Sequence, residues 1–487
     1  MERPSCRAVS LFFLLLTQPA WAGGWLAASG KADITPDLER ERIRLAGYGA
    51  KGRLAEGVHD PLYARAVVVS DGAKTVALVS VDSIGLFRED VEALRGRLGW
   101  NGGERALFLS ATHSHSAPDT LGLWGPFPGV SGVDSRYRAR VLGAVEGLLR
   151  RLAGELEPVR LVAAKAELDP RGLCRDKRDP AVIDPELVAL QFRSKKDQSI
   201  ATVVRWSCHP EVLGKSNRLV SADFPGALCA KVEKETGGDC VFLTGMVGGL
   251  LTPDTDRAAP VEKQFDEARR VGESVAAAAL AALKKGERIA PGPVGSESRL
   301  VRLPVENSRY LLFLRSLRAG HRLYREDGSP LPRWRQWTIP LRHLLLFPLP
   351  PRLRPWVETE VSLVRLGAVG ILGLPGEPFP ELLLGGYEGR LAFGQPLVKP
   401  DNPAPPDLAK APKGPYLRGS LPKYGLIVGQ ANDEVGYFVP EYDFKAASNR
   451  AMHPRPAGDH YEETNSLGPR AAGLVLEAAR SLLVSAP

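Results

Sequence analysis

Two histidines in a His-x-His pair are the first residues of this sequence whose types and spacing could do chemistry. His113 and His115 follow the apolar run 106–110. In an extended chain, residues two apart point to the same side, so both imidazoles can face one site at the end of a strand. Imidazole nitrogens are common metal ligands and common acid–base groups, so the pattern favours a metal or catalytic site.

Three further polar side chains follow apolar runs in the same way. His209 follows the run 201–206, Glu377 follows a run ending at Leu374, and Tyr437 follows 426–428. Each alone is typical of a turn or loop. Two histidines, a glutamate and a tyrosine together would satisfy a zinc ion by ligand type. The phenol, whose ordinary pKa is about 10, would have to lose a proton, which the charge of a metal favours.

Strands and helices must position these side chains, and the apolar patterning predicts both. An amphipathic helix is predicted at 137–152, a long Ala-rich helix at 264–283, and a hairpin at 357–374 that turns near Gly367. The remaining predicted elements are strands at 62–69, 76–81, 106–110, 160–166, 187–192, 201–206, 240–243 and 424–428, and a helix at 474–483. Strands and helices without strict alternation indicate an α/β fold with mixed β-sheets flanked by helices, as a single large catalytic domain.

Composition narrows the class of protein. The 487 residues are 44% hydrophobic and 25% charged, which excludes intrinsic disorder as the main state. The net charge of +8 is spread over a long chain without a nucleic-acid-binding module, so we expect no nucleic-acid partner, and no obligate protein partner is indicated. There is no Cys-x-x-Cys spacing, so a thiolate zinc site is not expected. One disulfide, between Cys229 and Cys240, can form in an oxidising compartment.

The N-terminal residues 1–22 have the three regions of an export signal. Arg3 and Arg7 precede the apolar run 8–16, and Ala20-Trp21-Ala22 has the small-x-small form of a cleavage site. We expect cleavage after Ala22 and a periplasmic or secreted protein, with residues 23–487 forming the hydrolase domain.

The segment 310–356 differs from the rest of the chain because arginines and aromatic residues are interleaved in it. This composition suits a lipid headgroup interface, so peripheral membrane contact through 310–356 is one interpretation. The other is a surface insertion whose apolar residues pack back on the domain.

An ordered set of short motifs resembles the neutral/alkaline (non-lysosomal) ceramidase family. The motifs lie in family order between Gly30 and Pro469. They are KADITP at 31–36, AGYG at 46–49, GVHDPLYARA at 57–66, VD at 81–82, SATHSHSAP at 110–118, CHP at 208–210, SAD at 221–223, LPGE at 374–377 and ANDEVGY at 431–437. The segment 310–356 has no counterpart among these motifs, and we expect no C-terminal immunoglobulin-like domain of the kind that full-length members carry.

The resemblance implies a zinc-dependent amidase that acts in sphingolipid metabolism. Its reaction would be hydrolysis of the amide of ceramide or a related N-acyl lipid by zinc-bound water, which releases fatty acid and sphingoid base. By matching position, the resemblance implies one Zn²⁺ per chain held by His113, His209, Glu377 and Tyr437. It also implies that His115 faces the substrate or the transition-state oxyanion, with Arg175 and Tyr461 as further catalytic residues.

One motif departs from the family pattern. Where the family has Gly-Asp-x-Ser-Pro, this chain has Gly249-Leu250-Leu251-Thr252-Pro253, so Thr252 keeps a hydroxyl and Leu250 replaces the acid. Three alternatives therefore stay open. They are a catalytically impaired lipid-binding member of the family, a metallohydrolase with one or two metals that acts on a different amide or ester, and an amidase in which Thr252 is a nucleophile with a histidine base.

Overall fold

The computed structural model describes residues 24–49, 51–307, 310, 321–332, 334, 336, 354–445, 457–458 and 460–484. The predicted export signal at 1–22 and most of the segment 310–356 lie outside the described residues, so both stay predictions. Within the described ranges, none of the helices has the length and apolar character needed to cross a membrane.

The strands and helices are numbered here in chain order. The strands are β1 Trp25–Asp33, β2 Arg44–Leu45, β3 Arg53–Leu54, β4 Gly57–Val58, β5 Tyr63–Ser70, β6 Thr75–Val81, β7 Asn101–Gly102, β8 Arg105–Ala111, β9 Glu157–Glu167, β10 Cys174–Asp176, β11 Glu186–Ser194, β12 Ser199–Trp206, β13 Leu219–Val220, β14 Asp239–Thr244, β15 Leu251–Pro253, β16 Glu287–Ile289, β17 Val294–Pro304, β18 Leu323–Tyr324, β19 Trp356–Leu366, β20 Val369–Gly373, β21 Glu377–Pro378, β22 Leu426–Val428 and β23 Tyr437–Phe438. The helices are α1 Arg88–Leu98, α2 Ser135–Leu152, α3 Asp223–Thr236, α4 Val261–Leu283, α5 Pro380–Leu384 and α6 Arg470–Val484.

Two mixed sheets form the centre of the fold. The larger has ten strands in the order β14-β12-β11-β9-β1-β5-β6-β8-β7, with β16 beside β9. The smaller has five strands in the order β17-β19-β20-β22, with β18 beside β19. Most neighbours are antiparallel, but β6 with β8, β12 with β14 and β20 with β22 are parallel. The predicted α/β fold with mixed sheets flanked by helices is confirmed.

The apolar patterning of these elements produces four layers. Side chains such as Phe108, Leu190 and Ile371 fill the space between the two sheets. On the outer face of the large sheet, α2 packs against one half and α3 and α4 against the other. On the outer face of the small sheet, α6 packs through residues such as Val475. The molecule is thus a sandwich of helices, large sheet, small sheet and helix.

The helix α2 shows how sequence produces this packing. Its residues at helical spacing, predicted to share one face, are the ones that are buried: Tyr137, Val141, Leu142, Val145, Leu148, Leu149 and Leu152. The Asp134 carboxylate accepts hydrogen bonds from the backbone N–H groups of Arg136 and Tyr137, which satisfies donors that the first turn leaves free.

The large sheet curls so strongly that β14, at one end of its strand order, contacts β6 and β8 near the other end. Ser80 Oγ donates to the Phe242 carbonyl at 2.6 Å, and Thr244 Oγ1 donates to the carbonyls of Ala111 and Thr112 at 3.2 and 2.9 Å. The curl brings the ends of β8 and β12 together, although five strands separate them in the order of the sheet.

The loop after β22 of the small sheet is hydrogen-bonded to β8 of the large sheet. The Asn432 backbone N–H donates to the Leu109 carbonyl at 2.7 Å, and the Asn432 Oδ1 accepts from the Leu109 N–H at 2.8 Å. Asn432 has a φ of 61°, a left-handed conformation that asparagine tolerates better than most residues. The loops after β20 and β22 therefore meet the ends of β8 and β12.

The four described cysteines, Cys174, Cys208, Cys229 and Cys240, are buried free thiols. The sequence allows a disulfide between Cys229 and Cys240, but this disulfide is not formed in the structure.

Candidate active site

His113 and His209 are held by the backbone so that the same ring nitrogen of each faces one point. His113 Nδ1–H donates to the Ile84 carbonyl at 2.6 Å, and His209 Nδ1–H donates to the Leu251 carbonyl at 2.9 Å. A donated Nδ1–H leaves the Nε2 lone pair as the free ligand atom. His113 reaches this position with a φ of 68°, directly after β8.

Glu377 lies between these two rings. Its Oε2 is 2.9 Å from His209 Nε2 and 3.6 Å from His113 Nε2. Burial alone would raise the pKa of Glu377, but the two histidines hold that pKa well below its ordinary range. Burial would lower the pKa of His209, and Glu377 raises it above its ordinary value. The arrangement is a buried carboxylate shared by two imidazoles.

Tyr437 completes the group because β21 and β23 form a parallel pair that places it beside Glu377. Burial first, and the Glu377 carboxylate second, raise the pKa of Tyr437 well above its ordinary value. The phenol therefore stays protonated beside Glu377 unless a metal cation supplies opposing charge. The structure brings together all four residues that the resemblance implied as ligands, from four different strand ends.

His115 lies against the same group. One ring nitrogen of each of the three histidines, His113, His115 and His209, lies within 4.8 Å of the other two. His115 is therefore close enough to share a metal. Burial first, and then His113 and His209, lower the pKa of His115 well below its ordinary value, so the ring is neutral. Gly47 makes room for it, since a Cβ there would lie 2.4 to 2.5 Å from ring atoms of His115.

The donor set fits a divalent transition metal of the zinc type. Two imidazole nitrogens, a carboxylate oxygen and a phenol oxygen converge, and both Nδ1–H groups are already engaged, as is usual for metal-binding histidines. Among the described residues, His113, His115 and His209 form the only cluster of histidine, cysteine or acidic side chains with metal-binding spacing.

A small cavity of about 50 Å³ opens beside these residues. Tyr461 lines it, and its phenol oxygen accepts a hydrogen bond from Asn465 Nδ2 at 3.2 Å. Burial raises the pKa of Tyr461 to about 12, so it is a phenol donor at neutral pH. The rest of the wall is mostly apolar and is lined by Gly47, Ile84, Phe87, Leu121, Leu123, Trp124, Tyr310, Glu434, Gly436 and Asn465.

Arg175 is not among the residues that line this cavity, and its expected catalytic role stays a prediction. In β10 the side chains alternate, so Cys174 and Asp176 are buried while the Arg175 side chain is 45% exposed, with Asp254 at 3.9 Å. The physical reason is the period of two in a strand, which turns Arg175 to the solvent side when its neighbours face inward.

Thr252 is buried next to the site but does not line the cavity. Its Oγ1 donates to Glu211 Oε1 at 2.6 Å, and Arg257 contacts the same hydroxyl. Glu211 and Arg257 were not predicted as site residues. Glu211 lies only two residues after His209, but Pro210 removes the periodicity that could have shown that both side chains face inward.

Glu434 was also missed, although it lies inside the ANDEVGY motif. Its Oε1 accepts from the Gly436 N–H at 2.9 Å, and its buried Oε2 has no hydrogen-bond partner among the described residues. Burial first, and Glu377 second, raise its pKa well above the ordinary value. Glu434 is thus a polar group in an otherwise largely apolar cavity wall.

Comparison with known proteins shows what this chain is similar to. Residues 25–254 match the family model described as neutral/alkaline non-lysosomal ceramidase, N-terminal. The resemblance of the chain to this ceramidase family is thereby confirmed. The matched range contains His113, His115 and His209, whereas Glu377 and Tyr437 lie beyond it.

Individual relatives are distant. A neutral ceramidase of Pseudomonas aeruginosa is 24% identical over 325 residues, which are 61% of this chain and 48% of the relative. One of Drosophila melanogaster is 28% identical over 42% of this chain and 32% of the relative. One of Mycobacterium tuberculosis is 23% identical over 72% and 65%. The chain thus spans about a third to two thirds of the length of these relatives.

The fold also matches a solved structure. The crystal structure of the neutral ceramidase from Pseudomonas aeruginosa superposes with a TM-score of 0.65 and 19% identity, covering 96% of this chain and 75% of that chain. At that identity the likeness establishes a shared fold and nothing finer.

Proposed function

We propose that this chain is a member of the ceramidase family and a zinc-dependent amidase that hydrolyses ceramide or a related N-acyl lipid. The observation that carries the proposal is the convergence of His113, His209, Glu377 and Tyr437 at one buried point, with His115 and Tyr461 beside them. Similarity to the ceramidase family supports the reaction, and the relatives are named as neutral ceramidases.

His113, His209, Glu377 and Tyr437 would hold the ion. A bound zinc ion supplies a Lewis acid that polarises the amide carbonyl and makes water a nucleophile near neutral pH. Before metal binding, the pKa of Tyr437 is raised and its proton lies near Glu377. The phenol must release that proton when it becomes a ligand.

The remaining chemistry belongs to His115 and Tyr461. His115 is neutral, so it can accept the proton that the attacking water loses and return it to the departing nitrogen as the C–N bond breaks. Tyr461 stays protonated and can donate a hydrogen bond to the oxyanion that forms on the former carbonyl oxygen. The products are a free fatty acid and an amine, the sphingoid base when the substrate is ceramide.

The test is fatty-acid release from a fluorescent N-acylsphingosine by the purified protein, with and without a zinc chelator. We expect release that stops on chelation and returns when zinc is added. A folded protein that binds the lipid without release would favour an impaired lipid-binding member. Release only from other amides or esters would favour a metallohydrolase of different specificity.

We also propose export, because residues 1–22 have the organisation of a cleaved signal. N-terminal sequencing of protein from the periplasm and the medium should begin at residue 23. An intact Met1 or Glu2 would contradict this.

Peripheral membrane contact through 310–356 is a related proposal, supported by the basic and aromatic composition of that segment. Flotation with anionic liposomes, with and without residues 310–356, should show binding only when the segment is present.

A further inference from the structure

A buried carboxylate lies where it can orient His115. It is outside the ligand group, the name used here for the proposed ligands His113, His209, Glu377 and Tyr437. Glu211 is buried at 6% exposure. Its Oε2 is 2.9 Å from Arg257 Nη1, and its Oε1 accepts the Thr252 hydroxyl at 2.6 Å. These contacts fix the plane of the carboxylate from two sides, as a positioning group requires.

The same carboxylate faces the otherwise unpartnered nitrogen of His115. His115 Nδ1 is buried and has no hydrogen-bond partner among the described residues, and Glu211 Oε2 lies 3.5 Å from it. Two other contacts restrict the ring. Gly47 packs directly on it, and the Tyr48 ring meets it edge-on with centroids 5.2 Å apart.

This arrangement bears on the missing acid of the Gly-Asp-x-Ser-Pro motif. Leu250, which stands at the position of that acid, packs against the apolar cluster of the small sheet. A carboxylate nevertheless contacts Thr252, the hydroxyl residue of the same motif, and it comes from the segment after His209. Thr252 therefore has a carboxylate partner in this chain although Leu250 is apolar.

We propose that Glu211 is a positioning residue that holds His115 in the tautomer with the proton on Nδ1. That tautomer leaves the Nε2 lone pair as the base that the proposed hydrolysis needs, by the same logic as the carboxylate behind the histidine of a catalytic triad. The proposal rests on the proposed function for its chemical purpose, but the tautomer itself is a property of the protein without substrate.

The test compares zinc-loaded wild type, Glu211→Gln and Glu211→Asp. The ring nitrogens of ¹⁵N-histidine-labelled protein report each tautomer by NMR, and with eight histidines in the sequence the His115 signals can be assigned from a His115→Ala sample. We expect a single Nδ1–H tautomer for His115 in wild type and in Glu211→Asp. Glu211→Gln, which presents an amide N–H₂ group, should shift the ring toward the other tautomer.

Kinetics provide the second readout. Glu211→Gln should lower kcat on the fluorescent N-acylsphingosine by about 10- to 100-fold, with little change in KM or zinc content, and Glu211→Asp should recover most of it. The matched control is Glu360→Gln, which removes a buried carboxylate paired with Arg95 at 2.7 Å in β19 and should leave kcat unchanged.

An unchanged His115 tautomer in Glu211→Gln would overturn the proposal, and so would a loss of kcat no larger than that of Glu360→Gln. If no N-acyl lipid is hydrolysed by wild type, the proposed function fails, but the NMR result still decides whether Glu211 sets the tautomer.

Discussion

The ligand group and the group behind it differ in how they relate to the family pattern. His113, His209, Glu377 and Tyr437, the proposed ligands, stand where the resemblance implies them, and the structure brings them together. The group of Glu211, Thr252 and Arg257 departs from that pattern. Leu250 stands where the motif has an acid, and the carboxylate beside Thr252 is that of Glu211, which comes from another segment. Ligands are constrained by the ion itself, whereas a supporting carboxylate needs only to reach the right atom, from any segment.

The largest effect should come from breaking the ligand group. His113→Ala removes a nitrogen that the other three residues cannot replace, so we expect loss of bound zinc and a fall in turnover on the order of 10³-fold or more. Metal analysis and the hydrolysis assay on the same preparation check this. His59→Ala is the control, because His59 stacks on Phe265 away from the site and should keep both zinc and turnover.

His115→Ala separates the two groups. If His115 is the acid–base group, the variant should keep one zinc per chain while turnover falls about 10²- to 10⁴-fold, the range that general acid–base catalysis contributes. Metal analysis decides the point, since its nitrogen is near enough to His113 and His209 to be a ligand. Loss of both zinc and turnover would show that His115 is itself a zinc ligand.

Gly47→Ala tests whether the shape of the site matters as much as its ligands. A Cβ at Gly47 would meet the His115 ring at 2.4 to 2.5 Å, and the φ of 91° disfavours a side chain. We expect turnover to fall about 10- to 100-fold with zinc retained, because the ring moves while the ligands stay. Gly143→Ala, on the open face of α2, is the control and should be neutral or slightly stabilising. Full activity of Gly47→Ala would contradict the packing argument.

The smallest effect concerns an acid near the site that is not a ligand. Burial raises the pKa of Glu381 to about 8 from an ordinary value of 4.5. Between these values the folded protein binds one more proton than the unfolded chain, so the free energy of unfolding falls as pH rises through this window. Glu381→Gln should therefore be more stable than wild type by roughly 1–3 kcal/mol at pH 9 and little different near pH 4.5.

Thermal unfolding at the two pH values checks the Glu381 prediction. Glu388→Gln, which removes an exposed carboxylate, is the control and should shift neither midpoint. Equal stability of wild type and Glu381→Gln at pH 9 would show that Glu381 has a partner at high pH.

Much of the fold could be predicted because its elements have regular apolar periods. The seven residues predicted to share one face of α2 are all buried, and the hairpin of β19 and β20 turns at Gly367 as expected. The helices α1 and α3 could not be predicted in this way. α1 buries only two apolar residues, Val91 and Leu94, and α3 begins with Asp223 at a φ of 56° and contains Pro225.

The sequence could predict that the four proposed ligands lie together, but it could not predict their surroundings. Ligands follow strand ends, which apolar runs reveal, and the resemblance supplied their set. The contact between Glu211 and His115 depends on the curl of the large sheet, which brings the ends of β8 and β12 together. No local pattern encodes that curl. The exposed position of Arg175 likewise depends on which face of β10 the rest of the molecule covers.

The central claim is that the ligand group holds one zinc ion and that this ion is required for amide hydrolysis. The most direct measurement is the rate of fatty-acid release from N-acylsphingosine as zinc is added stepwise to metal-free protein. The account predicts no release without zinc and a linear rise that ends at one equivalent per chain. Full release by metal-free protein, or a rise that continues to two equivalents, would contradict it.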